Sequence, residues 1–123
     1  MKRILIVDDE EMIRNELKIN LEKKEFECLA VEDGREALRI AKENKPDLII
    51  LDLMLPKLSG EEGCEQIRKD DQIKNIPIII LTARDTYANK VTGINLGANY
   101  YLTKPCTMEQ ILDKIYKVFG VAK

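Results

Sequence analysis

Several residue types that support common enzyme chemistries are missing or scarce in this sequence. The 123 residues include no histidine, which excludes a Ser-His-Asp or Cys-His arrangement and any His-ligated metal within the chain. The three cysteines, Cys28, Cys64 and Cys106, are odd in number and form no C-x-x-C pair. This pattern argues against a disulfide framework or a zinc site and predicts three small, partly buried apolar side chains.

Long apolar runs and a strong excess of one charge are also lacking. No apolar stretch approaches the roughly 20 residues that span a bilayer, and the first residues lack the apolar core of a signal peptide. The net charge is −2, without a basic tail or stripe that would bind nucleic acid through its phosphates. We therefore expect a cytoplasmic segment that binds neither membrane nor nucleic acid directly.

Strand-like apolar runs alternate with segments of helical period along one undivided chain. No linker, repeat or low-complexity tract interrupts it, which predicts a single domain over 1–123. Predicted strands cover 4–7, 27–31, 48–51, 78–81 and 100–103, and predicted helices cover 11–24, 35–44, 61–69, 86–96 and 108–119. With right-handed crossovers, this order predicts an α/β fold with a doubly wound, five-stranded parallel sheet in the strand order 2-1-3-4-5, the flavodoxin-like (βα)5 arrangement.

Residues suited to phosphate chemistry stand at the carboxyl ends of four predicted strands. Asp8 and Asp9 follow strand 1, Asp52 follows strand 3, Thr82 ends strand 4 and Lys104 follows strand 5. Because parallel strands end on one rim, where open α/β sheets bind ligands, we expect these side chains to form one site.

Each of these residues also has an ordinary structural interpretation. Asp8 and Asp9 suit Mg²⁺, whose charge relieves their repulsion, but with Glu10 and Glu11 they could instead cap the first helix. Asp52 is either a turn residue or a carboxylate nucleophile that accepts a phosphoryl group. The residues alone leave both interpretations open.

Four sequence blocks together resemble the receiver domain of bacterial two-component response regulators. They are ILIVDDEE, DLMLPKLSG, PIIILTAR and KVTGINLGANYYLTKP, at residues 4–11, 52–60, 77–84 and 90–105. The resemblance covers essentially the whole chain, and the blocks are specific because all four occur in order, each at a strand end.

The resemblance implies a phosphorylation switch. Asp52 would accept a phosphoryl group from a sensor histidine kinase or a phosphotransfer protein. The chain would then be a self-phosphorylating and self-dephosphorylating signalling domain rather than a turnover enzyme. Asp8, Asp9, Asp52 and the backbone carbonyl of Met54 would bind Mg²⁺, which Mn²⁺ could replace. Lys104 would contact the phosphoryl group.

The resemblance also implies how the switch is transmitted. Thr82 would move toward the phosphoryl group and Tyr101 would change rotamer, which alters the surface of helix 4, strand 5 and helix 5 that contacts an output domain or a partner protein. Met54 and Arg84 flank the phosphoryl group in receivers. We hypothesise that these bulky side chains restrict attacking water and lengthen the lifetime of the phosphoryl group.

The sequence departs from the common receiver pattern near the output surface. Asn99 and Tyr100 stand where receivers often carry two acids, Gln110 is neutral where an acid is common, and Cys106 replaces a frequent Phe. These changes argue against a dimer built on ion pairs at that surface. A monomer and a phosphorylation-dependent dimer both stay open.

Other functions remain as alternatives. A pseudo-receiver that only binds partners usually loses the acceptor, an acid or the lysine, and all are present here. A haloacid-dehalogenase-like phosphatase would need D-x-D where this chain has Asp8-Asp9-Glu10, and a flavodoxin-like cofactor binder would need a Ser/Thr-rich loop after strand 1. The chain is either a stand-alone regulator or the receiver part of a longer protein.

Overall fold

The computed structural model describes residues 1–120, apart from the side chain of Tyr87. Strands and helices alternate as predicted. The strands are β1 (Arg3–Val7), β2 (Glu27–Val31), β3 (Leu48–Leu51), β4 (Ile78–Thr82) and β5 (Tyr100–Thr103), and the helices are α1 (Glu11–Lys23), α2 (Gly34–Asn44), α3 (Gly60–Lys69), α4 (Tyr87–Asn95) and α5 (Met108–Phe119). Residues 121–123 of the predicted domain lie outside the described residues.

Side-chain caps decide where the helices begin. Asp33 and Ser59 accept hydrogen bonds from free backbone N–H groups in the first turns of α2 and α3. These helices therefore begin at Gly34 and Gly60, one residue earlier than the apolar spacing predicted. Thr107 caps α5 through a reciprocal capping box.

The five strands form one parallel sheet in the order β2-β1-β3-β4-β5, which confirms the predicted topology. Val7 pairs with Leu51, Leu51 pairs with Ile80, and Thr82 pairs with Thr103. The strands consequently end at similar heights, and the residues that follow them meet at one rim of the sheet.

The core lies on both faces of the sheet, because β1, β3 and β4 are almost wholly buried. Leu5 and Ile49 belong to the cluster beneath α2 and α3, whereas Ile4 and Ile50 belong to the cluster beneath α1 and α5. The outer strands β2 and β5 are less buried, as predicted for sheet edges.

The three cysteines are free, as predicted: Cys28 and Cys64 are buried, and Cys106 is half-buried. Within residues 1–120, no helix combines the length and the apolar character needed to cross a membrane.

Candidate functional site

Three acidic side chains gather at the carboxyl end of β1. Carboxylate oxygens of Asp8, Asp9 and Glu10 lie within 4.8 Å of one another, and only Asp8 is buried. The Oδ1 atom of Asp8 accepts a hydrogen bond from the backbone N–H of Glu10 at 2.9 Å. Glu10 occupies the N-cap position of α1 without a side-chain capping bond, and Glu11 lies in the first turn. The acidic group is therefore not explained as a helix cap, whereas Glu11 does face the positive end of the helix dipole.

Lys104 links this acidic group to Asp52 at the end of β3. Its Nζ atom donates to Asp8 Oδ2 at 2.7 Å and to Asp52 Oδ2 at 2.9 Å, and lies 3.7 Å from Glu10. Asp52 is 4% exposed, and its Oδ1 atom accepts a hydrogen bond from the backbone N–H of Met54 at 3.0 Å. The peptide bond between Lys104 and Pro105 is cis, which the sequence could not decide. The fold thus joins residues that lie 96 positions apart in the chain.

Burial and charge pairing act in opposite directions on these groups. Burial raises the pKa of Asp8 above its usual value, although hydrogen bonds from Lys104 and from the Glu10 backbone lower it part of the way. Burial lowers the pKa of Lys104, but its hydrogen bonds to Asp8 and Asp52 outweigh burial and leave that pKa raised. Lys104 is consequently a charged ammonium group at neutral pH.

The Thr82 hydroxyl is fully buried and has no hydrogen-bond partner among the described residues. Leaving a buried hydroxyl unpaired costs about 1–3 kcal/mol, so such groups are rare and call for a functional explanation. The next residue, Ala83, is small and exposed, which leaves room beside the end of β4.

Tyr101 and Arg84 are linked to each other near the end of β4. The Tyr101 hydroxyl donates to the backbone carbonyl of Arg84 at 2.7 Å, and the tyrosine side chain packs against the core cluster beneath α2 and α3. The Arg84 guanidinium donates to Glu61 at 2.9 Å. The Met54 side chain, by contrast, is 51% exposed.

A groove that is mainly apolar opens beside Lys104, between α1 and the start of α5. Its lining includes apolar side chains from both sides, namely Ile13, Leu17, Cys106, Met108 and Ile111. A partner seated in this groove would lie next to the acidic rim.

Comparison with protein families identifies the arrangement. The family described as the response regulator receiver domain matches residues 4–116. The chain belongs to this family. It is a response regulator receiver domain of the kind that acts in two-component signalling.

The receiver is similar to part of longer regulators. The alkaline phosphatase synthesis transcriptional regulatory protein PhoP of Bacillus subtilis is 47% identical over 114 residues, which are 93% of this chain and 47% of PhoP. The phosphate regulon transcriptional regulatory protein PhoB of Pseudomonas aeruginosa is 41% identical over 117 residues, which are 95% of this chain and 51% of PhoB. The chain thus spans about half the length of these curated relatives.

Solved receiver structures share the fold along nearly the whole chain. The receiver domain of the Francisella response regulator 1452 matches with a TM-score of 0.91 at 32% identity, over 98% of both chains. The chemotaxis protein CheY4 of Vibrio cholerae matches with a TM-score of 0.90 at 34% identity, over 96% of this chain and 98% of that chain. These matches confirm the predicted flavodoxin-like fold.

The residues that follow the strands are predictable from the sequence, whereas the contacts that the helices bring to the rim are not. The sequence pattern relates Glu10 only to α1 and does not distinguish Glu61 from other surface acids. Gly60 approaches Asp52 so closely that a Cβ atom there would overlap the Asp52 backbone. A glycine shortly after Asp52 is a visible signal in the sequence, but nothing in it pairs Glu61 with Arg84.

Proposed function

We propose that this receiver is a phosphorylation switch in which Asp52 accepts a phosphoryl group from a sensor histidine kinase or a phosphotransfer protein. The observation that carries the proposal is the position of Lys104, whose ammonium group bonds both Asp8 and Asp52 at 2.7 and 2.9 Å. A carboxylate beside a fixed cation can act as the nucleophile while the incoming charge is neutralised. We also propose that residues 1–123 form this single domain.

The donor set at the rim fits a divalent cation. All of its side-chain donors are carboxylate oxygens, and the exposed positions of Asp9 and Glu10 leave room for the water ligands that Mg²⁺ retains. Asp8, Asp9, Asp52 and the backbone carbonyl of Met54 would hold Mg²⁺, or Mn²⁺ in its place. Bound Mg²⁺ would supply charge neutralisation at the oxygens of the transferring phosphoryl group.

Three side chains of the site would act in the phosphoryl transfer itself. An Asp52 oxygen attacks phosphorus while the bond between phosphorus and the donor histidine nitrogen breaks, and that histidine leaves with the bonding electron pair. Lys104 exchanges a carboxylate partner for a phosphoryl oxygen, a charge-assisted hydrogen bond. The Thr82 hydroxyl, which has no hydrogen-bond partner among the described residues, donates to another phosphoryl oxygen. Positioning and charge dominate phosphoryl transfer, so the chain acts as a self-phosphorylating and self-dephosphorylating signalling domain.

Recruitment of Thr82 would be transmitted to the surface formed by α4, β5 and α5. Tyr101 lies in β5 and bonds the backbone of Arg84, so movement at the end of β4 reaches this surface directly. Val91 and Ile94 of α4 are 39% and 47% exposed, which gives the surface an apolar component for an output domain or a partner protein. Because PhoP and PhoB are named transcriptional regulators, a transcriptional output domain is the partner that we favour.

The groove between α1 and the start of α5 provides a docking position for the phosphoryl donor. It is mainly apolar and is lined at one end by Lys104, which also bonds the acceptor Asp52. A helical donor protein bound there would place its phosphohistidine near Asp52.

Acetyl phosphate tests the acceptor without the kinase. Wild-type protein, Asp52→Asn and the control Asp85→Asn, which changes an exposed aspartate after β4, would be incubated with acetyl phosphate and Mg²⁺ and then weighed intact by mass spectrometry. We expect one phosphoryl group on wild type and Asp85→Asn, none on Asp52→Asn, and none on any protein with EDTA. A folded wild-type protein that takes neither a phosphoryl group nor a beryllofluoride mimic would be a pseudo-receiver, and the proposal would be wrong.

A further inference from the structure

An ion pair between Glu61 and Arg84 joins α3 to the segment after β4. The Nη1 atom of Arg84 lies 2.9 Å from Glu61 Oε1, and the side chains are 34% and 33% exposed. The backbone of Arg84 is held separately, because its carbonyl accepts the hydrogen bond from Tyr101 at 2.7 Å. Both the side chain and the backbone carbonyl of Arg84 are therefore restrained.

Glu61 is held close to the proposed acceptor by the main chain. The preceding residue, Gly60, packs against the backbone of Asp52 with no space for a Cβ atom. Burial chiefly raises the pKa of Tyr101, the charge of Arg84 lowers it, and the carboxylates of Glu61, Asp52 and Asp85 raise it. The Arg84 guanidinium and these three carboxylates thus belong to one electrostatic cluster.

We propose that Glu61 is a positioning residue that competes with phosphorylated Asp52 for the Arg84 guanidinium and thereby shortens the lifetime of the phosphoryl group. This inference rests on the proposed phosphorylation of Asp52. The aspartyl phosphate carries about two negative charges and three acceptor oxygens where the carboxylate carried one charge, and arginine can bind such a group through two parallel hydrogen bonds. Glu61 holds the guanidinium back from those oxygens.

The effect acts on hydrolysis of the aspartyl phosphate. In that step a water oxygen bonds to phosphorus, the bond from phosphorus to the Asp52 oxygen breaks, and inorganic phosphate leaves while the protons of water pass to phosphate and solvent. A guanidinium bound to the phosphoryl oxygens stabilises the phosphorylated protein and obstructs the attacking water. Glu61→Gln keeps the size of the side chain and removes the charge that retains Arg84.

Decay of the phosphorylated protein tests the competition. Wild type, Glu61→Gln, Arg84→Ala and the double variant would be phosphorylated with acetyl phosphate and Mg²⁺, freed of donor, and followed by intact mass. The control is Glu65→Gln, whose carboxylate pairs with Lys69 at 2.7 Å elsewhere on α3. Urea unfolding would verify that each variant is folded.

We expect Glu61→Gln to lengthen the half-life about two- to fivefold, the scale of a partly exposed ion pair. Arg84→Ala should shorten the half-life, the double variant should match Arg84→Ala, and Glu65→Gln should match wild type. If removing the Glu61 charge lengthens the half-life only in protein that keeps Arg84, then Glu61 acts by positioning the guanidinium and not through a general structural effect.

Three results would overturn the inference: an unchanged half-life in Glu61→Gln, a shortened one, or equal lengthening with and without Arg84. These failures are distinct from failure of the proposed function. If wild type binds neither a phosphoryl group nor beryllofluoride, the phosphorylation switch itself is wrong, and the role of Glu61 falls with it.

Discussion

Replacing Lys104 by Met tests the charge balance of the rim most directly. The Lys104 ammonium contacts two carboxylates whose side chains are 3% and 5% exposed, and its own side chain is 14% exposed. Removing one partner from a buried charge pair typically costs about 3–5 kcal/mol. We expect a smaller loss of about 2–3 kcal/mol at pH 7 in EDTA, because the rim is partly open to water and the pKa of Asp8 is already raised by burial.

The assay is urea unfolding followed by circular dichroism, with and without Mg²⁺. A loss of about 2–3 kcal/mol corresponds to a fall of about 10 °C in Tm for a domain of this size. Mg²⁺ held by the rim carboxylates as proposed would supply positive charge in place of the ammonium, so it should stabilise Lys104→Met more than wild type. Lys69→Met, which removes a 72% exposed lysine on α3, is the control and should change stability by less than about 1 kcal/mol.

The difference in stability between wild type and Lys104→Met should depend on pH with a definite sign. The pKa of Lys104 is raised in the folded protein, chiefly by its carboxylate partners working against burial. The contribution of Lys104 to stability is therefore complete below the pKa that this lysine has in the unfolded chain. It is lost as the pH rises through the pKa that it has in the folded protein, in the alkaline range. Equal stability of wild type and Lys104→Met in EDTA at pH 7, or an equal gain from Mg²⁺ in both, would refute this account of the rim.

Three further substitutions probe separate features. Asp8→Asn should raise the free energy of unfolding at pH 7 without metal, because burial raises the pKa of Asp8 and its ionised form opposes folding. In urea titrations this gain in stability should disappear below the pKa that the Asp8 carboxyl has in the unfolded chain. Gly93→Ala should destabilise the fold by about 1–3 kcal/mol and displace Tyr101, since the new Cβ atom would lie 2.9 Å from the Tyr101 ring. Fluorine NMR of fluorotyrosine-labelled protein would detect the displacement, and an unmoved ring would contradict this prediction. Asp33→Ala should cost about 1 kcal/mol in urea unfolding by removing the cap of α2, whereas Asp33→Asn should retain most of that stability; equal losses would show that capping is not the cause.

The topology and the residues at the rim could be predicted from the sequence. Apolar runs such as 48–51 and 78–81 are too short for helices and apolar on both faces, which is typical of central parallel strands. Once the strands are parallel, whatever follows each of them lies at the same rim, so Asp8, Asp52 and Lys104 could be grouped from the order of the strands. The predicted starts of α2 and α3 are one residue late, because the capping side chains and not the apolar stripe fix where these helices begin.

The contacts among the rim residues depend on the tertiary packing and could not be predicted from the sequence. Lys104 bonds Asp8 across 96 residues of chain, the Thr82 hydroxyl lacks a partner within the described residues, and Glu61 pairs with Arg84 from a different helix. Such contacts depend on rotamers and on the packing of elements from distant parts of the sequence, whereas local periodicity reports only which face of an element is apolar. The sequence therefore identifies the groups at the site, and packing determines which carboxylate each cation holds.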